Sequence, residues 1–561
     1  MIKFFRKDFI LILLLAAVFL CSFALRTIKL SDFPVGFQID EASLGWNAYS
    51  ILQTGKSEAG IKLPLYIDTF GDNRPTGYNY VDIPFIAFLG LTVFATRLPG
   101  AVFGALSVFP VFLLAYALFK NKKIALLSAV LVTISPWNVV LSRASAETII
   151  ALFFILFGFF FLFHFIRSKK TWEVLVGTLL LGLSFFFYHT PRVFVPMYFF
   201  VALLVLTYPY KNIKAYKELS KLIVSFLLLC ILSFSLIFLI KGGTGRFTQV
   251  NIFGFPETKL VMAEQIREDG SDHAPLFTTR LFHNKVVNYS LTFVTNYFAY
   301  FSGDFLFTRG GLPIWYQVDQ TGLLLLVESP FVLYGVYLCV KSKNRFAKLP
   351  LFWILVAPIT AAITVDDIPN LQRAIVLFPM LEIIGAVGLF EFLNRISKIK
   401  SKIFRIPVKQ VIFVFCFLIF LFNFLYFLHQ YFVHGEKHRT WYRNNGFADM
   451  MQVVNKNYSS YDKVVATKTG GGYPLFLFFS KYDPKTYQQE GSPKDADYKG
   501  FGKYIFIPNE CPSINLSVNL PKGTKILYVD RGTCPEPSKK SGRKFQNIYR
   551  EDGSLAFRII F

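Results

Sequence analysis

Eleven stretches of this chain are apolar over lengths close to those a membrane-spanning helix requires. They are 9–27, 98–119, 124–141, 148–166, 174–189, 193–208, 222–240, 321–340, 349–364, 374–394 and 410–430. A helix rises 1.5 Å per residue, so about 20 mostly apolar residues cross the hydrocarbon core. Composition agrees: of 561 residues, 54% are hydrophobic, 66 are Phe and only 17% are charged. Soluble domains carry roughly 25% charged residues. A soluble enzyme, a disordered chain and a disulfide-stapled scaffold are excluded. The expected fold class is an all-α polytopic membrane bundle of about eleven spanning helices with interfacial helices, followed by a small C-terminal extracytoplasmic α/β domain.

Charge sets the expected orientation. The chain holds 59 Lys and Arg against 35 Asp and Glu, a formal charge of +24. In a soluble chain that excess would suggest nucleic acid. Here the positive-inside rule accounts for it, and no nucleic-acid partner is expected. The ambiguous segment 81–95 is about 15 residues long and carries Asp82 and Pro84. If it does not span, six short segments share one side: the N-terminus, 120–123, 167–173, 209–221, 341–348 and 391–409. They hold 23 Lys and Arg against 4 acidic residues, the bias of cytoplasmic loops. Segment 81–95 is therefore expected to be interfacial or re-entrant, and the aromatic segment 286–301 is likewise not counted as a span. Stretch 9–27 follows Lys3, Arg6 and Lys7 without a small-residue cleavage site, and reads as an anchor. Loops 28–97 and 241–320 and the tail from 431 then face away from the cytoplasm.

The tail, 431–561, is expected to be a small α/β domain. Val464-Val465-Ala466, Tyr504-Ile505-Phe506-Ile507 and Ile526-Leu527-Tyr528-Val529 look like strands, and 473–481 like a helix after the turn Gly470-Gly471-Gly472. Cys21, Cys230, Cys339 and Cys416 lie in or beside apolar runs and read as small hydrophobes. Cys511 and Cys534, on an oxidising face, can pair. No Cys/His cluster suggests a metal, and none is expected.

Several polar groups fall on the outer side. Asp40 and Glu41 precede an amphipathic stretch, 42–53, whose Leu44, Ala48, Ile51 and Leu52 could lie on the membrane. A carboxylate there can act as a general base; it can equally be an acidic helix cap. Arg74 precedes a Pro-Thr-Gly turn in Gly71-Asp72-Asn73-Arg74-Pro75-Thr76-Gly77-Tyr78-Asn79-Tyr80, where a guanidinium suits a phosphate or simply anchors the interface. Glu147 opens a spanning helix, as a functional acid or another cap charge. His189, Arg192, Asp366, Asp367, Asn370 and Arg373 lie at helix ends on the same side. Arg192 and Arg373 stand against the positive-inside bias, as expected of cations that bind an anion. Tyr78, Asn79 and His189 are candidate substrate contacts. The spans carry almost no charge at mid-helix, which argues against a proton-coupled transporter.

The order of these features resembles the C-type integral-membrane glycosyltransferases. Closest are the dolichyl-phosphate-mannose–protein mannosyltransferase family (glycosyltransferase family 39) and its bacterial aminoarabinose-transferase relatives. The features are the Asp40-Glu41 pair, Arg74-Pro75, Arg97-Leu98-Pro99, Ser142-Arg143 with Glu147, and Pro369-Asn370-Leu371-Gln372-Arg373-Ala374-Ile375 leading to Pro379. The resemblance covers roughly 1–430. It implies inverting transfer of a sugar from a polyprenyl-phosphate donor, without metal or cofactor, in the cell's plasma (inner) membrane, with the active site and tail extracytoplasmic. The acceptor is a protein, a lipid or a glycan. Asp40 matches the catalytic base, Glu41 its motif partner and Glu147 a second outer carboxylate. Arg74 and Arg373 match basic positions near the donor phosphate, and Arg192 joins them on topology. Loop 241–320 is too short for the β-trefoil insert of eukaryotic relatives, and Thr76 stands where many relatives repeat proline. The competing readings are a flippase or transporter, or a non-catalytic binder, of lipid-linked sugars.

Overall fold

The computed structural model describes residues 2–69, 72–207, 214–240, 250–254, 256–400, 402–403, 406–435, 437–438, 440–468, 472–490, 499–537 and 542–561. The expected Gly470-Gly471 turn, and the start of loop 241–320, lie outside them. The chain divides into two compact units. One comprises Met1–Arg26, Phe103–Leu141 and Ala146–Phe427; the other comprises Thr27–Val102, Ser142–Ser145 and Leu428–Phe561.

The first unit is helical. Among the described residues, seven helices are long and apolar enough to cross a membrane: Phe9–Thr27, Val93–Phe119, Glu147–Ser168, Lys217–Leu239, Arg345–Ala362, Ile375–Ser397 and Val408–His434. An eighth forms if Lys122–Ile134 and Pro136–Ser142, bent by 53° at Ser135, count as one span. Three of the eleven expected spans are shorter helices: Thr171–Ser184, Thr190–Thr207 and Ser329–Lys341. Two of these apolar runs contain residues that leave the helix, 185–189 and 321–325, which hydropathy alone does not reveal. Residues 81–89 of segment 81–95 lie in a 13-residue helix, Gly77–Leu89, ended by Gly90, while 93–95 already begin the span Val93–Phe119; most of 286–301 lies in the 15-residue Lys285–Ala299. Neither the helix Gly77–Leu89 nor Lys285–Ala299 is among the spans.

Close packing explains the small residues inside these apolar helices. A Cβ on Gly335 would lie 2.0 Å from the Ile384 carbonyl oxygen, so only glycine lets Ser329–Lys341 approach Phe378–Ser397. Trp353 stacks edge-on against Phe159, Phe194 and Tyr198, and its indole donates to the Val376 carbonyl at 2.6 Å. That bond satisfies the polar end of a buried ring. Arg26 is completely buried and donates to the Val132 and Thr133 carbonyls. These are carbonyls of the last turn before the bend, which have no helical partner of their own.

The second unit corrects two expectations. Residues 431–561 share one core with the first outer loop rather than standing apart. Phe37, Ala42, Trp46 and Ala48 pack with Met450, Val464, Phe476, Phe478 and Tyr487. The apolar side of 42–53 is thus buried in this core, not laid on a membrane; Leu52 remains exposed. The expected strands and helix are present. A six-stranded sheet runs in the order Gly500–Phe501, Tyr504–Ile507, Lys463–Thr467, Ile526–Arg531, Leu555–Ile560, Phe545–Tyr549. Lys463–Thr467 is parallel to both neighbours. Parallel pairing demands a crossover, and helix Tyr473–Ser480 lies in one of them. Cys511 and Cys534 form a disulfide.

Candidate active site

The sequence Gln38-Ile39-Asp40-Glu41 starts a helix, Ile39–Thr54, with Gln38 as its cap. Glu41 accepts from the Gln38 backbone N–H at 3.0 Å, one half of a capping box. The two carboxylates are successive, so they leave the helix about 100° apart. That rotation gives them different surroundings.

Glu41 points inward. Its side chain is 2% exposed. Arg97 donates to it from Nε at 2.9 Å and from a terminal nitrogen at 3.2 Å, and Arg443 donates at 2.7 Å. Burial by itself would raise its pKa; the two guanidiniums outweigh burial and hold it below the usual value. Gly36 makes room for this knot. Its φ is +79°, and a Cβ there would meet the Arg443 carbonyl oxygen at 2.3 Å, so a side chain is excluded on both counts.

Asp40 points outward. Its side chain is 42% exposed and meets Arg74 at 2.9 Å; Arg74 is 28% exposed. Arg74 lies on strand Asp72–Pro75, opposite Ile67 in a two-stranded ladder with Tyr66–Thr69. An exposed pair of this kind contributes about 0–1 kcal/mol, so either partner can be redirected to a ligand at small cost. The Asp40–Arg74 pair is accessible to solvent, while Glu41 is locked.

The remaining expected site residues divide between the units. In the second, Tyr78 is completely buried and donates to the Thr96 carbonyl at 2.7 Å. Asn79 donates to the Leu44 carbonyl at 2.8 Å. Both hold helix Gly77–Leu89 against its neighbours. In the helical unit, Glu147 is the first residue of Glu147–Ser168 and is 9% exposed. Arg192 is buried, donates twice to the Phe185 carbonyl and meets His189 Nδ1 at 3.1 Å. Arg373 donates to Thr364 Oγ1 at 2.8 Å and to the Asp366 carboxylate at 3.2 Å. The helical unit does contain buried acids: Glu382 lies inside the span Ile375–Ser397, and Glu328, completely buried in the 3-10 turn Leu326–Glu328, interacts with it.

Against these observations stand the comparisons. Residues 73–238 match the family model for dolichyl-phosphate-mannose-protein mannosyltransferase. The match includes Arg74, Glu147 and Arg192 and begins after Asp40. The fold is similar to ArnT from Cupriavidus metallidurans, solved with undecaprenyl phosphate bound. The TM-score is 0.54 at 10% identity, over 98% of this chain and 97% of that one. It is also similar to the oligosaccharyltransferase of Archaeoglobus fulgidus in the apo form (TM-score 0.51, 14% identity, 90% and 62% covered). The same archaeal enzyme, AglB, in complex with an inhibitory peptide and a dolichol-phosphate, gives 0.50 over 90% and 62% at 14% identity. The chain has the GT-C glycosyltransferase fold. This GT-C chain spans about three-fifths of the length of the archaeal chains it matches. No curated relative matches it.

Sequence reasoning passed over two groups in this GT-C protein. Arg443 comes from the far end of the chain, with no local signal. Glu58 lies in an ordinary Ser-Glu-Ala-Gly turn, yet is 1% exposed. Its carboxylate meets Tyr473 Oη at 3.2 Å, Asn47 Nδ2 at 3.4 Å and Thr69 Oγ1 at 3.4 Å. Burial dominates those hydrogen bonds and raises its pKa to about 7. The unfolded acid titrates near 4.5, so the folded form holds its proton more tightly. The associated stability is complete below pH 4.5, falls as pH rises towards 7 and is gone above it. The span is on the order of 3 kcal/mol. Glu58→Gln is therefore expected to flatten the pH dependence of thermal melting between pH 4.5 and 7, and to raise the melting temperature at pH 8. An unchanged slope would remove Glu58 as its source.

Proposed function

We propose that this protein moves a sugar from a polyprenyl-phosphate donor to an acceptor on the outer face of the membrane, with inversion, and with Asp40 as general base. The observation that carries this reading is the exposed Asp40–Arg74 pair. Asp40 takes the proton from an acceptor hydroxyl or amide. The freed nucleophile attacks the anomeric carbon, and the bond to the phosphate oxygen breaks. Arg74 leaves Asp40 to hold the charge on the departing lipid phosphate. A single displacement inverts the anomeric centre. The step calls for no cofactor. Arg74 is the cation paired directly with Asp40, so the phosphate contact is assigned to it.

The donor class rests on likeness of fold to proteins solved with undecaprenyl phosphate and with dolichol-phosphate. The orientation rests on the basic loops and on the disulfide in the unit that carries Asp40, since disulfides persist in oxidising compartments. An alkaline phosphatase fused after Phe561 is expected to be active, and a cytoplasmic readout would overturn the outer-face assignment. The reaction itself is tested in detergent or membranes with a panel of radiolabelled polyprenyl-phosphate sugars. Sugar lost from one donor to an acceptor protein, lipid or glycan supports the reading; no turnover with any donor that binds refutes it.

A second reading, movement of lipid-linked sugar across the membrane, draws on the bent span and the buried Glu328 and Glu382. Thirteen helical residues before the bend reach about 20 Å, two thirds of a core of about 30 Å. Reconstituted protein that flips a lipid-linked sugar without transferring it would favour this reading.

A further inference from the structure

The helix that carries Asp40 and the ladder that carries Arg74 meet in more than one place. On the helix, Asp40 and Ser43 are three residues apart and share a face. On the ladder, Arg74 stands opposite Ile67, and directly opposed residues project to the same side. Thr69 is two residues from Ile67 and so shares that side. The two faces join as two rungs. Asp40 meets Arg74 at 2.9 Å, and Ser43 Oγ meets Thr69 Oγ1 at 2.9 Å.

The rungs differ in exposure. The first is open to solvent, whereas Ser43 and Thr69 are both buried, where a hydroxyl without a partner is costly. A third group backs the inner rung. Thr69 Oγ1 donates to the buried Glu58 carboxylate at 3.4 Å. Glu58 is itself fastened to the helix, since its backbone N–H donates to Asn47 Oδ1 at 2.9 Å. An ionised carboxylate only accepts, so the Thr69 proton points to Glu58 and the Ser43 proton to Thr69. One hydroxyl thus ties the ladder to the helix through two partners. When Arg74 turns from Asp40 to a phosphate, the outer rung is lost and the inner one stays.

We propose that Thr69 is a positioning residue for sugar transfer: its hydroxyl, held by Ser43 and Glu58, keeps the Arg74 strand in place against the Asp40 helix while Arg74 holds the departing phosphate. This role rests on the transfer reading above. The test uses the full chain in detergent. Thr69→Val removes the hydroxyl and keeps the β-branch that strands favour. It leaves Ser43 its contact with Asn47, and Glu58 its contacts with Asn47 and Tyr473. Thr69→Ser keeps the hydroxyl. Misplacing a catalytic group by about 1 Å costs about 10²-fold, so kcat is expected to fall about 10–100-fold in Thr69→Val and to stay near wild type in Thr69→Ser. In an Arg74→Gln background, Thr69→Val should add no further loss, because the two changes act on one contact. Without any donor, amide hydrogen exchange should quicken in strands Tyr66–Thr69 and Asp72–Pro75 of Thr69→Val. Wild-type kcat in Thr69→Val, whatever its melting temperature, would overturn the role, as would an equal loss in Thr69→Ser or a full further loss in the Arg74→Gln background. Unchanged exchange overturns the tie itself, whether or not the protein transfers sugar. Wild-type protein that turns over no donor refutes the transfer reading and this role with it; the exchange result then shows separately whether the tie exists.

Discussion

Asp40→Asn is expected to lower sugar transfer by about 10²–10⁴-fold, the range supplied by a positioned general base. Asparagine keeps the size of the side chain and leaves the Gln38 cap in place, but it cannot take a proton. The lost partner of Arg74 is an exposed pair contributing at most about 1 kcal/mol, so melting should barely move. Donor binding should persist, because Arg74 remains. The variant is assayed against wild type on whichever polyprenyl-phosphate sugar turns over, with donor binding measured in parallel. Wild-type rates in Asp40→Asn would dismiss it as the base. A large fall in melting temperature would show that the residue holds the fold instead.

The neighbouring carboxylate should behave in the opposite way. Glu41→Ala leaves the Arg97 and Arg443 guanidiniums buried without their counter-charge. Breaking a buried ion pair by removing one partner costs about 3–5 kcal/mol, and here one carboxylate serves two cations. Thermal unfolding should therefore shift far more for Glu41→Ala than for Asp40→Asn. Arg443→Met is the milder member of the series, because Glu41 keeps Arg97. Acid should act similarly. The pKa of folded Glu41 is depressed, so its stabilisation is complete above the unfolded value near 4.5 and is lost as pH falls through the folded value. Equal melting of Glu41→Ala and wild type would refute the locked knot.

The contrast between these two acids marks the limit of what local pattern reveals. Adjacent carboxylates at a helix start were visible, and so were the capping alternative and the functional one. The capping reading holds for Glu41 and the functional one is what we propose for Asp40, but nothing within a few positions says which acid turns inward. The deciding partner, Arg443, is 402 residues away. Tyr473, which buries Glu58, is 415 residues away. Strands such as Lys463–Thr467 and most spanning helices were legible because a hydrophobic period or run suffices to make them. The number of full-length spans was not, since Thr171–Ser184 stops short at Phe185, itself apolar, and Ser329–Lys341 begins only after the apolar run 323–327. Tyr78 and Asn79 were legible as polar groups near the candidate motif. Their use of backbone carbonyls as partners depends on helix packing, which spacing does not encode.

The core that joins Phe37 and Trp46 to Phe476 and Tyr487 also has a consequence in time. A ribosome delivers Thr27–Val102 long before Leu428–Phe561 exists. The intervening 325 residues, at roughly 5–20 residues per second, take about 15–65 s to synthesise. Throughout that interval the helix bearing Asp40 lacks both the apolar surface it packs on and the cation that completes its knot. A chain terminated before Leu428 never assembles the support of that helix, so competence arrives only once Leu428–Phe561 has been made.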